Sequence, residues 1–154
     1  MLRAFFAGTS IRPREWTYLN DPRPLYEDHK NVVYTKDGDS LSYYFPGPLD
    51  KFSLDRGTYT IEKNYKRGVE VLSNNIKNLL KEKPDEEIKV EIAGHSRGGV
   101  TATRVAEKIK SEFKDNKNVK VNLITLDPVP GPMHFKEDVK IKLAEGETNK
   151  SIVV

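Results

Sequence analysis

The sequence predicts an α/β fold in which helices cover both faces of a mostly parallel β-sheet. Three observations indicate this class. β-prone segments alternate with two long helical patterns along the chain, an order that is typical of parallel sheets. The second helical pattern directly follows a strand pattern, through a turn flanked by glycines. The segment over residues 119–126 becomes largely apolar towards its end, as central strands do when both faces are buried.

The composition is that of one globular domain. The chain has 154 residues, enough for a single domain over residues 1–154 and not for two. It is 36% hydrophobic and 32% charged. Its 26 basic and 23 acidic residues give a net charge of +3, spread along the chain. We therefore expect no nucleic-acid partner, while a weak attraction to anionic membrane surfaces stays open.

The absence of cysteine excludes disulfides, thiolate zinc sites and a cysteine nucleophile. No apolar run approaches the length of a transmembrane span. The apolar core at the N-terminus is too short for a signal peptide, so we expect a cytoplasmic protein or one exported by a specialised secretion route. We expect no metal and no organic cofactor, and the oligomeric state stays open.

The first half of the chain predicts three short strands separated by loops. Residues 2–7 are expected to form a buried strand. Residues 11–30 are rich in proline and aromatic residues, and we interpret them as an ordered flap over the site. Residues 31–35 and 41–45 flank an Asp37-Gly38 turn signal, so they predict either a hairpin or two separate strands of a larger sheet.

The second half predicts two helices and further strands. Residues 60–83 place apolar side chains on one helical face. A strand is expected from about Glu87, and the second helix is expected to end at about Lys114. The later strands are expected at residues 119–126, at 139–143 and from 151 onward, with a polar turn over 144–150.

The turn between that strand and the second helix contains a Gly-x-Ser-x-Gly pentapeptide over residues 94–98. This is the sequence form of a nucleophile elbow, in which a serine takes a strained backbone conformation at a strand-to-helix turn. Side chains at Gly94 or Gly98 would collide with the neighbouring strand and helix, so glycine is needed there. The elbow would present the Ser96 hydroxyl at the carboxyl edge of the sheet. The alternative is a glycine-rich turn without chemistry.

Two further segments would complete an acyl-transfer site. Gly8 and Thr9 directly follow the first strand, where small residues let backbone N–H groups approach a substrate oxygen. The N–H of Arg97 and an N–H of Gly8 or Thr9 would together form an oxyanion hole at the helix N-terminus. The alternative for Gly8 and Thr9 is an ordinary turn at the end of a strand.

Asp127 is the candidate acid of a catalytic triad. It ends the segment over residues 119–126, and Pro128 cannot continue the ladder, so the carboxylate would lie at the rim of the sheet. The alternative is an N-cap or turn aspartate. His134 is the candidate base, although one short loop would then supply both acid and base. His95 points away from the Ser96 hydroxyl, and we expect it to pack.

The segments Ala93–Gly99 and Leu126–Val129, which contain Gly-His-Ser-Arg-Gly-Gly and Leu-Asp-Pro-Val, resemble the lipase-like branch of the α/β-hydrolases. Phe5-Phe6-Ala7-Gly8-Thr9 and Tyr43–Gly47 also look like bacterial phospholipase-type hydrolases, some of which are delivered as antibacterial effectors. The resemblance covers about residues 1–131 in element order. It implies an α/β-hydrolase-like fold and hydrolysis of carboxylic or lipid esters through an acyl-enzyme.

The chain departs from that family in its histidine, which in the family lies well downstream of the acid. His134 follows Asp127 closely, and the sequence ends within the apolar run of residues 151–154. We therefore expect a domain that lacks its C-terminal part. A catalytically incomplete module that binds a lipid or protein partner is the alternative function, and acyl transfer would use the same residues. Nucleotide binding is disfavoured, because residues 94–99 lack the Gly-Lys-Ser/Thr of a P-loop and the Gly-x-Gly-x-x-Gly of a dinucleotide-binding fold.

Overall fold

The computed structural model describes residues 1–8, 26–27, 33–47, 58–126 and 149–152. Within these ranges the chain forms one seven-stranded sheet and two helices. In chain order the elements are β1 (Leu2–Phe6), β2 (Tyr26–Glu27), β3 (Val33–Asp37), β4 (Ser40–Phe45), α1 (Thr58–Glu82), β5 (Ile88–His95), α2 (Arg97–Glu112), β6 (Val119–Leu126) and β7 (Asn149–Ile152).

The sheet is mostly parallel, which confirms the predicted fold class. Its strand order is β2-β3-β4-β1-β5-β6-β7. The five strands β4, β1, β5, β6 and β7 run parallel to one another, and β3 is antiparallel to both of its neighbours. β1 therefore lies inside the sheet, between β4 and β5, as its buried apolar sequence requires.

β3 and β4 form the hairpin that the Asp37-Gly38 signal predicts, and this hairpin is also part of the larger sheet. Asp37 and Ser40 pair across the turn. Gly38 has a φ of +58°, a conformation that glycine adopts without steric cost.

Both helices lie on the same face of the sheet, where they pack against each other and against β1. The connections β4-α1-β5 and β5-α2-β6 step along the sheet in the same direction, so right-handed crossovers put both helices on one side. The sequence predicts helices on both faces, and within the described residues the two helices cover one face. The opposite face nevertheless contains the buried residues Ser42, Tyr44 and Ala93.

The core lies between this helix layer and the sheet. Alternate residues of the strands face the helices, as a period of two dictates. The fully buried members are large and aliphatic or aromatic, and include Leu2, Phe6, Val90 and Ile92 from the sheet and Leu72, Ile76, Val105 and Ile109 from the helices.

Polar contacts also fix α1 against α2. Arg104 Nη1 lies 2.7 Å from Glu62 Oε1, and the Arg104 guanidinium stacks 4.3 Å from the centre of the Tyr65 ring. Farther along the helices, the Ser73 hydroxyl donates a hydrogen bond to Glu112. These contacts therefore fix the two helices against each other at two positions along their length.

The observed bounds differ from the predicted ones mainly at the ends of elements. α2 ends at Glu112 rather than near Lys114, and β7 begins at Asn149, inside the expected polar turn. β2 adds a two-residue strand to a segment expected to be irregular, because pairing with β3 overrides the local signal. The remainder of the expected flap and the strand expected at 139–143 lie outside the described residues. Of the two described helices, neither is long and apolar enough to cross a membrane.

Candidate active site

The carboxyl ends of the central parallel strands meet at one edge of the sheet. Phe6 at the end of β1 pairs with Phe45 of β4 and with Gly94 of β5, and Gly94 pairs with Thr125 of β6. In open α/β sheets this edge is where ligands bind. The turn that follows β5 contains Ser96 and lies at the centre of this edge.

Ser96 has a strained backbone. Its φ of 56° and ψ of −122° are unusual for an L-residue, and among the described residues it is the one non-glycine with a positive φ. Such a conformation costs about 1–3 kcal/mol and persists where the surroundings enforce it. Strain of this kind marks functional turns more often than ordinary ones.

Two backbone hydrogen bonds hold the strained turn. The N–H of Ser96 donates to the carbonyl oxygen of Leu126 at 2.9 Å, and the carbonyl oxygen of Ser96 accepts from the N–H of Gly99 at 2.9 Å. Serine at a helix N-cap usually accepts a hydrogen bond from the first turn, but the Ser96 side chain makes no such capping bond to α2. Ser96 as a whole is half-buried. The hydroxyl is therefore not committed to capping the helix.

The flanking glycines permit very close backbone contacts. A Cβ built on Gly94 would lie 2.1 Å from the carbonyl oxygen of Gly98, and one on Gly98 would lie 2.0 Å from that of Phe6. Real Cβ atoms do not approach so closely, so alanine fits at neither position. The turn thereby packs directly on the end of β1, and Gly99 continues the buried first turn of α2.

The end of β1 lies beside Ser96. A Cβ built on Gly8 would lie 3.2 Å from Ser96 Cβ and 3.1 Å from His95 Nδ1. Just before it, the N–H of Ala7 donates to the carbonyl oxygen of Phe45 at 3.0 Å, which continues the β1–β4 pairing beyond the last strand residue. The half-buried His95 side chain therefore lies close to Gly8.

Gly47 is a residue at this edge for which the sequence alone predicts no role in the site. A Cβ built on it would lie 1.6 Å from the Gly8 carbonyl oxygen and 2.9 Å from that of Ala7. Asn64 of α1 supports the same segment, because its Nδ2 donates to the carbonyl oxygen of Pro46 at 2.8 Å. The spacing of glycines along the chain does not reveal this contact, since it depends on the pairing of β4 with β1.

The structure thus brings together one part of the sequence-predicted site. Seven of its residues lie at the turn after β5: six form the turn and its flanks, and Gly8 lies beside it. Arg97 is the first residue of α2 and is half-buried. Thr9, Asp127 and His134 lie outside the described residues. The described part of the chain contains no group of three or more histidine, aspartate or glutamate side chains placed to hold a metal ion. The seven residues are Gly8, Gly94, His95, Ser96, Arg97, Gly98 and Gly99.

Comparison with known proteins identifies the family. Searches of curated proteins and of solved structures gave no match. A family model described as Lipase (class 3) matches residues 29–151, which is most of the chain and includes the turn that contains Ser96. The mostly parallel sheet and the helix after β5 are those of an α/β-hydrolase-type fold. The chain therefore belongs to the class 3 lipase family.

Proposed function

We propose that this protein is a serine hydrolase that cleaves carboxylic or lipid esters through an acyl-enzyme, with Ser96 as the nucleophile. The observation that carries the proposal is the positive φ of 56° at Ser96, in the turn between β5 and α2. This is the backbone strain expected of a nucleophile elbow. Membership of the class 3 lipase family supports ester hydrolysis of the lipase type.

An oxyanion hole is proposed between α2 and the end of β1. The backbone N–H groups in the first turn of a helix point towards its N-terminus, where the helix dipole favours negative charge. The N–H of Arg97 would bind the oxyanion from that side. The closeness of Gly8 to Ser96 supports a second donor from the N–H of Gly8 or Thr9.

Asp127 and His134 are proposed as the acid and the base. Asp127 is next in sequence to Leu126, whose carbonyl accepts the hydrogen bond from Ser96 N–H, and this neighbourhood supports its role. His134 would take the Ser96 proton as Oγ bonds to the ester carbonyl carbon, then return it to the departing alcohol. Water would attack the acyl-enzyme by the same route and release the acid. Asp127 would fix the histidine tautomer.

Phospholipid is the ester class that we propose first. It is supported by the resemblance of residues 5–9 and Tyr43–Gly47 to bacterial phospholipase-type hydrolases, some of them antibacterial effectors. The alternative is a catalytically incomplete hydrolase module that binds a lipid or protein partner. The close spacing of Asp127 and His134 favours this alternative, because one short segment must then supply both groups.

The test is hydrolysis by purified protein of p-nitrophenyl esters and of phospholipid vesicles, with release of fatty acid as the second readout. We expect activity that is lost in Ser96→Ala, Asp127→Asn and His134→Ala. Ser111→Ala is the control, because Ser111 is exposed on the same helix. Full activity in Ser96→Ala would reject the serine mechanism. Binding of the vesicles without turnover by the wild type would favour the non-catalytic module.

A further inference from the structure

We propose that Asn64 and Gly47 are positioning residues that hold the end of β1 beside Ser96. The inference rests on the proposed function, since its catalytic consequence requires an oxyanion hole at Gly8. Neither residue touches the reacting atoms. They act through a series of contacts that runs from α1 through the end of β4 to the end of β1.

The first contact joins α1 to the segment after β4. Asn64 is 8% exposed, and its Nδ2 donates to the carbonyl oxygen of Pro46 at 2.8 Å. A buried amide that loses its partner is costly, so this bond fixes the orientation of the Pro46–Gly47 peptide. Pro46 contributes no N–H of its own to the adjacent ladder, which leaves its carbonyl as the group that can be held.

The second contact joins that peptide to the end of β1. Gly47 approaches Gly8 so closely that its Cβ, if present, would lie 1.6 Å from the Gly8 carbonyl oxygen. Just before these two glycines, the Ala7 N–H donates to the Phe45 carbonyl oxygen at 3.0 Å. The segment after β4 therefore forms the surface against which the Gly8 peptide rests.

The third contact joins Gly8 to the proposed nucleophile. Its Cβ position would lie 3.2 Å from Ser96 Cβ and 3.1 Å from the carbonyl oxygen of His95. Gly8 is thus confined between Gly47 on one side and the β5–α2 turn on the other. An oxyanion hole depends on donors that are fixed before the reaction. Loss of the Asn64–Pro46 hydrogen bond would therefore displace the proposed N–H donor at Gly8 or Thr9 without removing it.

The closing experiment compares Asn64→Asp with Asn75→Asp. Aspartate keeps the shape of asparagine but removes the N–H donor. Asn75 is the matched control on the same helix, because its Nδ2 donates to Val71 O at 2.8 Å and to Tyr43 Oη at 3.0 Å, away from Gly8. We expect Asn64→Asp to lower kcat by roughly tenfold to a hundredfold and to leave KM little changed. The rate of labelling by a fluorophosphonate probe should fall by the same factor. Asn75→Asp should keep the wild-type rate.

A second pair tests Gly47 in the same way. Gly47→Ala should displace the Gly8 peptide and slow labelling at least as strongly as Asn64→Asp. Gly38→Ala is its control, because Gly38 has a φ of +58° and no atom within 4 Å of its Cβ position in the described structure. This control should lose stability and keep its labelling rate per folded molecule.

Amide hydrogen exchange separates this inference from the proposed function. The Ala7 N–H reports directly on the β1–β4 contact, and its exchange should accelerate in Asn64→Asp but not in Asn75→Asp. If the wild type is not labelled at all, the proposed function fails, and Ala7 exchange alone then supports or rejects the positioning contacts. Unchanged Ala7 exchange in Asn64→Asp, or equal losses of labelling rate in both asparagine variants, would overturn the inference.

Discussion

The backbone N–H of Ser96 donates a hydrogen bond to the carbonyl oxygen of Leu126 at 2.9 Å. This bond extends the β5–β6 ladder past its last paired residues, His95 and Leu126. It ties the strained serine to the end of the neighbouring strand, directly before Asp127 in sequence. Asp127, the proposed acid of the triad, is therefore next in sequence to the residue that holds the proposed nucleophile.

The strain at Ser96 predicts that glycine at this position gives a more stable protein than alanine. Glycine tolerates the φ of 56°, whereas alanine retains the steric cost. We expect Ser96→Gly to exceed Ser96→Ala in free energy of unfolding by about 1 kcal/mol, measured by urea denaturation. Equal stability of the two variants would show that the turn is not strained.

The contact between the β5–α2 turn and β1 predicts a severe effect of a single methyl group. In Gly98→Ala the new Cβ would meet the Phe6 carbonyl oxygen at 2.0 Å, so α2 and β1 must separate. We expect the free energy of unfolding to fall by about 3 kcal/mol or more, measured by thermal or urea denaturation. A wild-type midpoint would contradict the close packing.

The core between helices and sheet predicts a large cavity effect at Leu72. This side chain is 0% exposed in α1, so Leu72→Ala should cost about 2–5 kcal/mol of unfolding free energy. Asn74→Ala, an exposed position on the same helix, is the control and should change stability by no more than about 0.5 kcal/mol. Similar losses in both variants would indicate a general effect on helix α1 instead of a packing effect.

The Arg104–Glu62 pair predicts a small coupling that depends on salt. Their closest atoms are 2.7 Å apart, but the Glu62 side chain is 43% exposed, so screening by solvent reduces the gain. A double-mutant cycle with Arg104→Met and Glu62→Gln should give a coupling of about 0.5 kcal/mol that falls at high ionic strength. A coupling that salt leaves unchanged would contradict a screened ion pair.

The sequence predicts the parts of this protein that depend on local pattern. The turn at Ser96, the hairpin turn at Gly38 and the long amphipathic helix α1 each follow from neighbouring residues, and their elements lie where the pattern indicates. The roles of Asn64 and Gly47 could not be predicted, because they arise from pairing between β4 and β1 and from the crossover of α1. Such contacts join residues far apart in the chain, and no local periodicity encodes them.

The central claim is that Ser96 is an activated nucleophile. The most direct measurement is reaction of the wild-type chain with a fluorophosphonate probe, followed by intact mass and peptide mapping. We expect one phosphonyl group per chain, on the peptide that contains Ser96, and none in Ser96→Ala. An unmodified wild-type protein, or an adduct on another serine that persists in Ser96→Ala, would contradict the claim.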